Sequence, residues 1–242
     1  MTDTIANVRQ LLEGANAVSV LSGAGISAES GIPTFRGAGG IWENRQAIEL
    51  ATPDAFREDP HQVWRFYQWR RQKVAEARPN PGHFALVDLE RQVSSFQLIT
   101  QNVDGLHRLA GNQAVVEVHG SLWLLRCMDC GEEHEDRETS SEAIPRCERC
   151  GGMERPGVVW FGEALKSESI IAMEEAATMC DVLLVVGTSA VVYPAAGMIE
   201  LARQVGAAIV EVNTEDTPAT AHADLTLRGP SGILLPQVVR QL

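Results

Sequence analysis

Short apolar runs recur along the chain, each ending in glycine or a small polar residue. Ala17-Val18-Ser19-Val20-Leu21 leads into Gly23-Ala24-Gly25, and Phe96-Gln97-Leu98-Ile99-Thr100 into Gln101-Asn102-Val103-Asp104. Ala114-Val115-Val116-Glu117-Val118 leads into His119-Gly120, Val182-Leu183-Leu184-Val185-Val186 into Gly187-Thr188-Ser189, and Ala208-Ile209-Val210-Glu211-Val212 into Asn213-Thr214-Glu215. Runs of this length bounded by turn residues predict strands, and the continuous ones predict burial on both faces of a parallel sheet. Pro156 to Glu163 and residues near 224–227 read as further strands. Between them, helical spacing appears at Ile5, Val8, Leu11 and Leu12 with a stop at Gly14. It recurs from Pro53 to Arg78, over 82–92 and 167–179, from Pro194 to Val205, and from about residue 231. The alternation predicts an α/β chain, a Rossmann-like doubly wound parallel sheet. A smaller zinc-binding and helical domain is expected as an insert. Residues 1–42, 80–122 and 155–242 are assigned to the sheet domain, and 43–79 and 123–154 to the insert.

In open parallel sheets, ligand groups collect at the carboxyl ends of the strands. Five predicted strand ends here carry glycine, hydroxyl, amide, carboxylate or imidazole groups. Gly23-x-Gly25-x-x-Ala28 can bring backbone N–H groups to a diphosphate, since glycine permits close approach and positive φ. The same pattern also suits a tight turn with no ligand. A second glycine-rich segment, Gly37 to Gly40, runs on to Ile41-Trp42 and suggests a long loop over a ligand. Glu43 and Glu49 lie where a dehydrogenase would place its ribose-binding acid, but not on a strand. An ordinary dehydrogenase is therefore disfavoured, and Asn213, Thr214 and Glu215 supply the ribose contact instead. Asn102 and Asp104 serve equally as ligand groups or as caps for a helix from Gly105. His119 is a general-base candidate or a structural histidine.

Four of the five cysteines form Cys127-x-x-Cys130 and Cys147-x-x-Cys150, the spacing of a four-thiolate zinc site. With four thiolates there is no open coordination position, so such a zinc is structural. Disulfides are disfavoured because Met1 to Ile5 lacks the features of a secretory signal. Cys180 reads as a small buried hydrophobe. In 242 residues, Lys and Arg total 20 against 32 Asp and Glu, a net charge of −12. That balance lacks the basic footprint of a nucleic-acid binder. No apolar run is long enough to span a membrane. A cytoplasmic monomer without long regulatory tails is expected. In Val63-Trp64-Arg65-Phe66-Tyr67-Gln68-Trp69-Arg70-Arg71, aromatics and arginines interleave, with Tyr67 and Arg70 on one helical face. Spacing alone fits an amphipathic helix with core aromatics and solvated arginines.

Taken together, the motifs resemble those of the sirtuins, NAD-dependent protein-lysine deacylases, over nearly the whole chain. The matching pieces are Gly23-Ala24-Gly25-x-Ser27-x-x-Ser30-Gly31-Ile32-Pro33-x-Phe35-Arg36, Gln101-Asn102-x-Asp104-x-Leu106-His107, His119-Gly120, both cysteine pairs, Gly187-Thr188-Ser189 and Asn213-x-Glu215. Gly37-Ala38-Gly39-Gly40-x-Trp42, Leu50-Ala51-Thr52-Pro53, Tyr67-x-x-Arg70, Val158 to Glu163 and Val191 to Ala195 resemble the desuccinylase and demalonylase branch. The resemblance implies NAD as a consumed co-substrate, one structural zinc, and acyl-lysine proteins or peptides as partners. It implies a diphosphate site at Gly23, Ala24, Gly25 and Ala28, with Pro33, Thr34, Phe35, Arg36 and Trp42 on the closing loop. Phe35 would shield the reactive carbon. Gln101, Asn102, Val103 and Asp104 would hold the nicotinamide ribose and carboxamide, with Gly187, Thr188 and Ser189 nearby. Asn213, Thr214 and Glu215 would hold the adenosine ribose, with Ser231 near the adenine. His119 would be the base, assisted by Asn102 and Asp104, and the products would be lysine, nicotinamide and 2′-O-acyl-ADP-ribose.

Tyr67 and Arg70 would read the acyl group, with room left by the small Ala51. The peptide would pair as a strand with Val159, Trp160, Phe161, Gly162 and Glu163 on one side and Val192 and Tyr193 on the other. A mainly deacetylating enzyme, a mono-ADP-ribosyltransferase and an NAD-binding module are the alternatives.

Overall fold

The computed structural model describes residues 2–34, 45–141 and 143–240. Six parallel strands form the main sheet. They are β1 (Ala17–Ser22), β2 (Ser95–Thr100), β3 (Val115–Glu117), β7 (Val182–Val186), β8 (Ala208–Asn213) and β9 (Leu225–Arg228). Their order is β3-β2-β1-β7-β8-β9. The chain therefore leaves β1 toward one edge and returns at β7 to build the other. That reversal opens a crevice at the carboxyl ends of β1 and β7, where open α/β sheets bind ligands.

Both faces of the sheet are covered, as its unbroken apolar strands require. On one face α1 (Thr2–Gly14), α5 (Pro81–Gln92) and α9 (Ser231–Val239) close a core around Val20, Leu98, Leu184 and Val210. On the other, α7 (Ser167–Thr178) and α8 (Gly197–Gln204) pack over Leu21, Ile99, Leu183 and Ile209. A short helix, α6 (Leu106–Ala110), follows β2. The doubly wound α/β class thus agrees with the sequence reading.

Outside the main sheet, β4 (Gly120–Cys127), β5 (Glu133–Glu135) and β6 (Glu154–Val158) form a three-stranded antiparallel sheet in the order β5-β4-β6. Against it lie α2 (Arg45–Leu50), α3 (Pro53–Glu58) and α4 (Pro60–Glu76), around Phe56, Tyr67, Trp123 and Trp160.

Three elements differ from the hydropathy pattern. The segment from Pro53 to Arg78 is two helices, because Asp59 leaves α3 in an extended conformation and its carboxylate caps α4 through Gln62 N–H (2.9 Å). The strand expected through Glu163 stops at Val158, where Glu163 N–H bonds back to Trp160 O (3.0 Å) and turns the chain; that strand belongs to the small sheet. The helix expected from Pro194 begins at Gly197.

No described helix is long and apolar enough to cross a membrane.

Candidate active site

At the β1/β7 switch point, Gly23 N–H donates to Val186 O (3.0 Å) and Gly25 N–H to Gly187 O (2.7 Å). A Cβ on Gly25 would lie 2.7 Å from the Gly187 backbone, and one on Gly23 would lie 2.7 Å from Thr188 Cβ. Here the glycines are required by the contact of two protein backbones. Gly23 has φ of −134°, so it uses no left-handed conformation. The loop continues as a 3₁₀ turn, Ala24–Ser30, closed by Gly31 at φ of +84°.

The strand-end side chains are joined to one another. Gln101 Nε2 donates to Thr188 Oγ1 (2.7 Å) and Asn213 Nδ2 to Thr188 O (2.9 Å). Asn102 Nδ2 donates to Gly23 O (3.1 Å) and Ser27 Oγ (3.2 Å), while Asn102 Oδ1 is buried and has no partner among the described residues. Asp104 accepts from Ser27 Oγ (2.8 Å) and from Leu106 N–H (2.8 Å), so its carboxylate does cap α6. Burial raises the Asp104 pKa. Ala24, Pro33, Asn102, Val103, Asp104 and Arg70 line one small cavity of about 30 Å³. Ala28 is exposed and Thr34 half-buried at the loop's far end; Phe35, Arg36 and Trp42 lie outside the described residues. Ser189 is half-buried beside this cluster, whereas Thr214 and Glu215 are exposed past the end of β8. Ser231 starts α9, buried, with its Oγ unpaired among the described residues.

His119 follows β3. Its Nδ1 lies 3.1 Å from Gln101 O, and a carbonyl only accepts. Nδ1 therefore carries the proton and Nε2 the lone pair, which is the tautomer of a base. Burial lowers the His119 pKa, so the ring is neutral near pH 7. The His119 carbonyl takes Val159 N–H (2.8 Å), which ties this histidine to the segment 159–163.

Of the α4 arginines, Arg70 and Arg71 are buried and Arg65 alone is solvated. Tyr67 and Arg70 are 2% and 8% exposed, so the amphipathic helix with solvated arginines is not what forms. The Arg70 guanidinium lies 5.5 Å from the Tyr67 ring centre. Ala51, also buried, receives Phe161 N–H at its carbonyl (2.9 Å). Trp160 is buried, Glu163 and Val192 are half-buried, and Phe161, Gly162 and Tyr193 are exposed.

Several positioning groups carried no sequence signal. Glu211 is fully buried on β8 and holds Thr217, Thr220 (2.7 Å) and Arg228 (2.9 Å), which fixes the loop after Asn213. Arg71, with no exposure, pairs with Asp136 (2.8 Å) between the rings of Trp64 and Trp123. Beneath the glycine loop, His83 and His107 sit 4.9 Å apart. Asn80 N–H donates to His83 Nδ1 (3.3 Å), and His107 Nε2 meets Ser22 Oγ (2.9 Å). Burial lowers the His83 pKa to about 4 and that of His107 well below its usual value. Both rings thus stay neutral in the fold while the unfolded chain takes up protons below about pH 6.5. The stabilisation is complete above that pH and is lost as pH falls toward 4. The melting temperature is expected to fall between pH 7 and 5, a window above most carboxylate titration. A level melting temperature there would contradict two neutral buried imidazoles.

The cysteine pairs sit on two matching turns. Gly131 N–H returns to Cys127 O (3.1 Å) and Gly151 N–H to Cys147 O (2.8 Å), with both glycines at positive φ (72° and 77°). The four Sγ atoms lie within 4.8 Å of one another, with Cys127 to Cys150 at 3.4 Å and Cys130 to Cys147 at 3.7 Å. Sulfurs around a tetrahedral zinc with bonds of about 2.3 Å stand roughly 3.8 Å apart, so the donor set fits that ion. All four positions are taken by protein, which makes the role structural. Metal removal, or Cys127→Ser, is expected to lower the melting temperature by at least about 10 °C, since such ions supply folding energy. An unchanged melt after confirmed zinc loss would count against the site.

The profile of the Sir2 family matches residues 23–194. The "NAD-dependent protein deacylase 2" of Pyrobaculum aerophilum is 50% identical over 98% of this chain and 95% of its own length. The "NAD-dependent protein deacylase" of Aquifex aeolicus is 49% identical over 94% of this chain and 95% of its own. Among solved structures, a Sir2 homologue in complex with NAD superposes with a TM-score of 0.92 at 44% identity, covering 97% of this chain and 92% of that one. With the family profile spanning more than half of the sequence, and the glycine loop, the four-cysteine site and the strand-end residues Gln101, Asn102, Asp104, His119 and Thr188 within the match, this chain belongs to the Sir2 family.

Proposed function

We propose that this protein removes acyl groups from lysine side chains of proteins at the expense of NAD, with succinyl and malonyl groups preferred over acetyl. The observation that carries the acyl preference is the buried Arg70 guanidinium beside Tyr67, in the cavity that Asn102 and Asp104 also line. A guanidinium offers the planar, charge-assisted donor fork that matches the terminal carboxylate of a succinyl or malonyl group.

The cofactor reading rests on the strand ends. Asn102 Oδ1, buried and unpaired among the described residues, lacks a donor that a ribose hydroxyl would provide. The loop at Gly23, Ala24 and Gly25 takes the diphosphate, Gln101, Asn102 and Asp104 the nicotinamide half, and Asn213 and Glu215 the adenosine ribose, with Ser231 toward the adenine. NAD supplies a labile glycosidic bond, through which the acyl oxygen displaces nicotinamide. His119 Nε2 accepts the proton of a ribose hydroxyl as that oxygen attacks the acyl carbon. Segment 159–163 and residues Val192 and Tyr193 hold the peptide backbone, a mode that reads little side-chain sequence.

The test is one peptide bearing acetyl, malonyl, succinyl or glutaryl lysine, assayed with and without NAD. Nicotinamide and free lysine are expected in equal amounts, fastest from the acidic acyl groups. ADP-ribose attached to protein without deacylated lysine would favour a transferase, and equal rates for all acyl groups would remove the preference.

A further inference from the structure

Trp160 is held on every side. Its ring is 2% exposed, with the Arg155 guanidinium 3.7 Å from the ring centre and Phe56 at 5.4 Å. Arg155 is itself fixed, since Nη2 donates to both Glu163 oxygens (2.8 and 2.9 Å) and Nη1 to Val158 O (3.2 Å). Glu163 also accepts Trp160 N–H (2.9 Å), so the same carboxylate anchors the backbone of Trp160 and the cation stacked on its ring. The indole has one polar atom, a donor, and it points at Tyr67: Nε1 to the phenol oxygen is 2.9 Å.

That contact decides what Tyr67 can do. Its oxygen accepts from Trp160 Nε1, with the Arg70 guanidinium near the ring. The indole donor takes the phenol's acceptor position, and its remaining capacity is to donate. A hydroxyl committed to donation favours a carboxylate oxygen over a methyl group at the end of an acyl chain.

We propose that Arg155, locked by Glu163, is a positioning residue for acyl selectivity, holding the Trp160 indole so that Nε1 fixes the Tyr67 hydroxyl as a donor. The inference rests on the acyl reading proposed above. It extends that reading to a residue whose side-chain hydrogen bonds and ring contact run to Trp160, Glu163 and Val158.

The test has two readouts. The chain contains two tyrosines, so in a Tyr193→Phe background a 13C label at tyrosine Cζ reports Tyr67 alone. Trp160→Phe removes only the Nε1 donor, Arg155→Met removes the stacked cation, and Arg155→Lys keeps the charge without the planar stack. The Cζ resonance is expected to move in all three. The succinyl-to-acetyl ratio of kcat/KM is expected to fall about five- to tenfold, the worth of one positioned neutral hydrogen bond, chiefly through KM of the succinyl peptide. Lysine should not rescue Arg155. If Arg155→Met fails to fold, Trp160→Phe carries both readouts.

A Cζ signal that stays in place overturns the relay even in an enzyme that prefers acidic acyl groups. A signal that moves while a wild-type preference persists undiminished in the variants overturns the selectivity role. A signal that moves in an enzyme whose wild type shows no acidic preference overturns the acyl reading itself, and the selectivity role with it.

Discussion

Replacing His119 with alanine is expected to stop turnover of every acyl-lysine peptide while the chain stays folded. His119 is half-buried and among the described residues makes one ring hydrogen bond, to Gln101 O at 3.1 Å, so its removal costs at most about 1.5 kcal/mol of stability. The catalytic role proposed for it is far larger, since a positioned general base contributes roughly 10²- to 10⁴-fold. Release of nicotinamide and of free lysine should be followed separately, with a thermal melt as the control for folding. Turnover near the wild-type rate would place the base elsewhere. The pH profile gives an independent check. Burial lowers the His119 pKa, so the neutral ring persists below the usual histidine range. The acid limb of kcat/KM should therefore inflect below about pH 6.5, and an inflection above it would contradict a desolvated base.

What the sequence made legible was local. Apolar runs ending in Gly187-Thr188 or Asn213 announce buried strands and their ligand-bearing ends, and the β1/β7 crevice brings those ends together. The cysteine spacing likewise carries its own geometry, because each Cys-x-x-Cys turn is closed by the glycine that follows it. What remained hidden was pairing between distant segments. Glu211 reads as a polar interruption in an apolar run, and only the fold brings Arg228 to its carboxylate. Arg155 and Glu163 flank a stretch that reads as one strand, yet the chain turns there, and the two side chains close over Trp160. The glycine loop follows β1 as the pattern predicts, and the fold adds a reason for its composition that spacing does not show: Gly25 is small because Gly187 lies against it.

Helix α4 shows how the insert and the sheet domain share one task. Gln68, Arg71 and Gln72 bond to Ser141 O (2.7 Å), Asp136 O (2.7 Å) and Thr139 O (2.9 Å), all in the loop between the cysteine pairs. The neighbouring face carries Tyr67 and Arg70. One face of the helix is thus anchored to the cysteine module while the adjacent face presents Tyr67 and Arg70, so under the proposed acyl reading the order of that module would bear on selectivity as well as on stability.

Arg70→Met should separate acidic from neutral acyl groups more sharply than any other single change. Methionine keeps most of the buried stem and discards the guanidinium. A succinyl carboxylate would then enter a buried site without its charge partner, a loss worth about 2–5 kcal/mol in comparable pairs, or roughly 30-fold or more in kcat/KM. An acetyl group has no carboxylate to strand, so its rate should change by only a few-fold, from altered packing around Tyr67. The measured quantity is the ratio of kcat/KM for succinyl and acetyl forms of one peptide. Arg70→Lys offers the finer discrimination. It restores the charge but not the planar fork, so it should recover only part of the ratio. Full recovery by lysine would reduce the reader to a point charge, and equal losses for both acyl groups in Arg70→Met would remove Arg70 from acyl reading altogether.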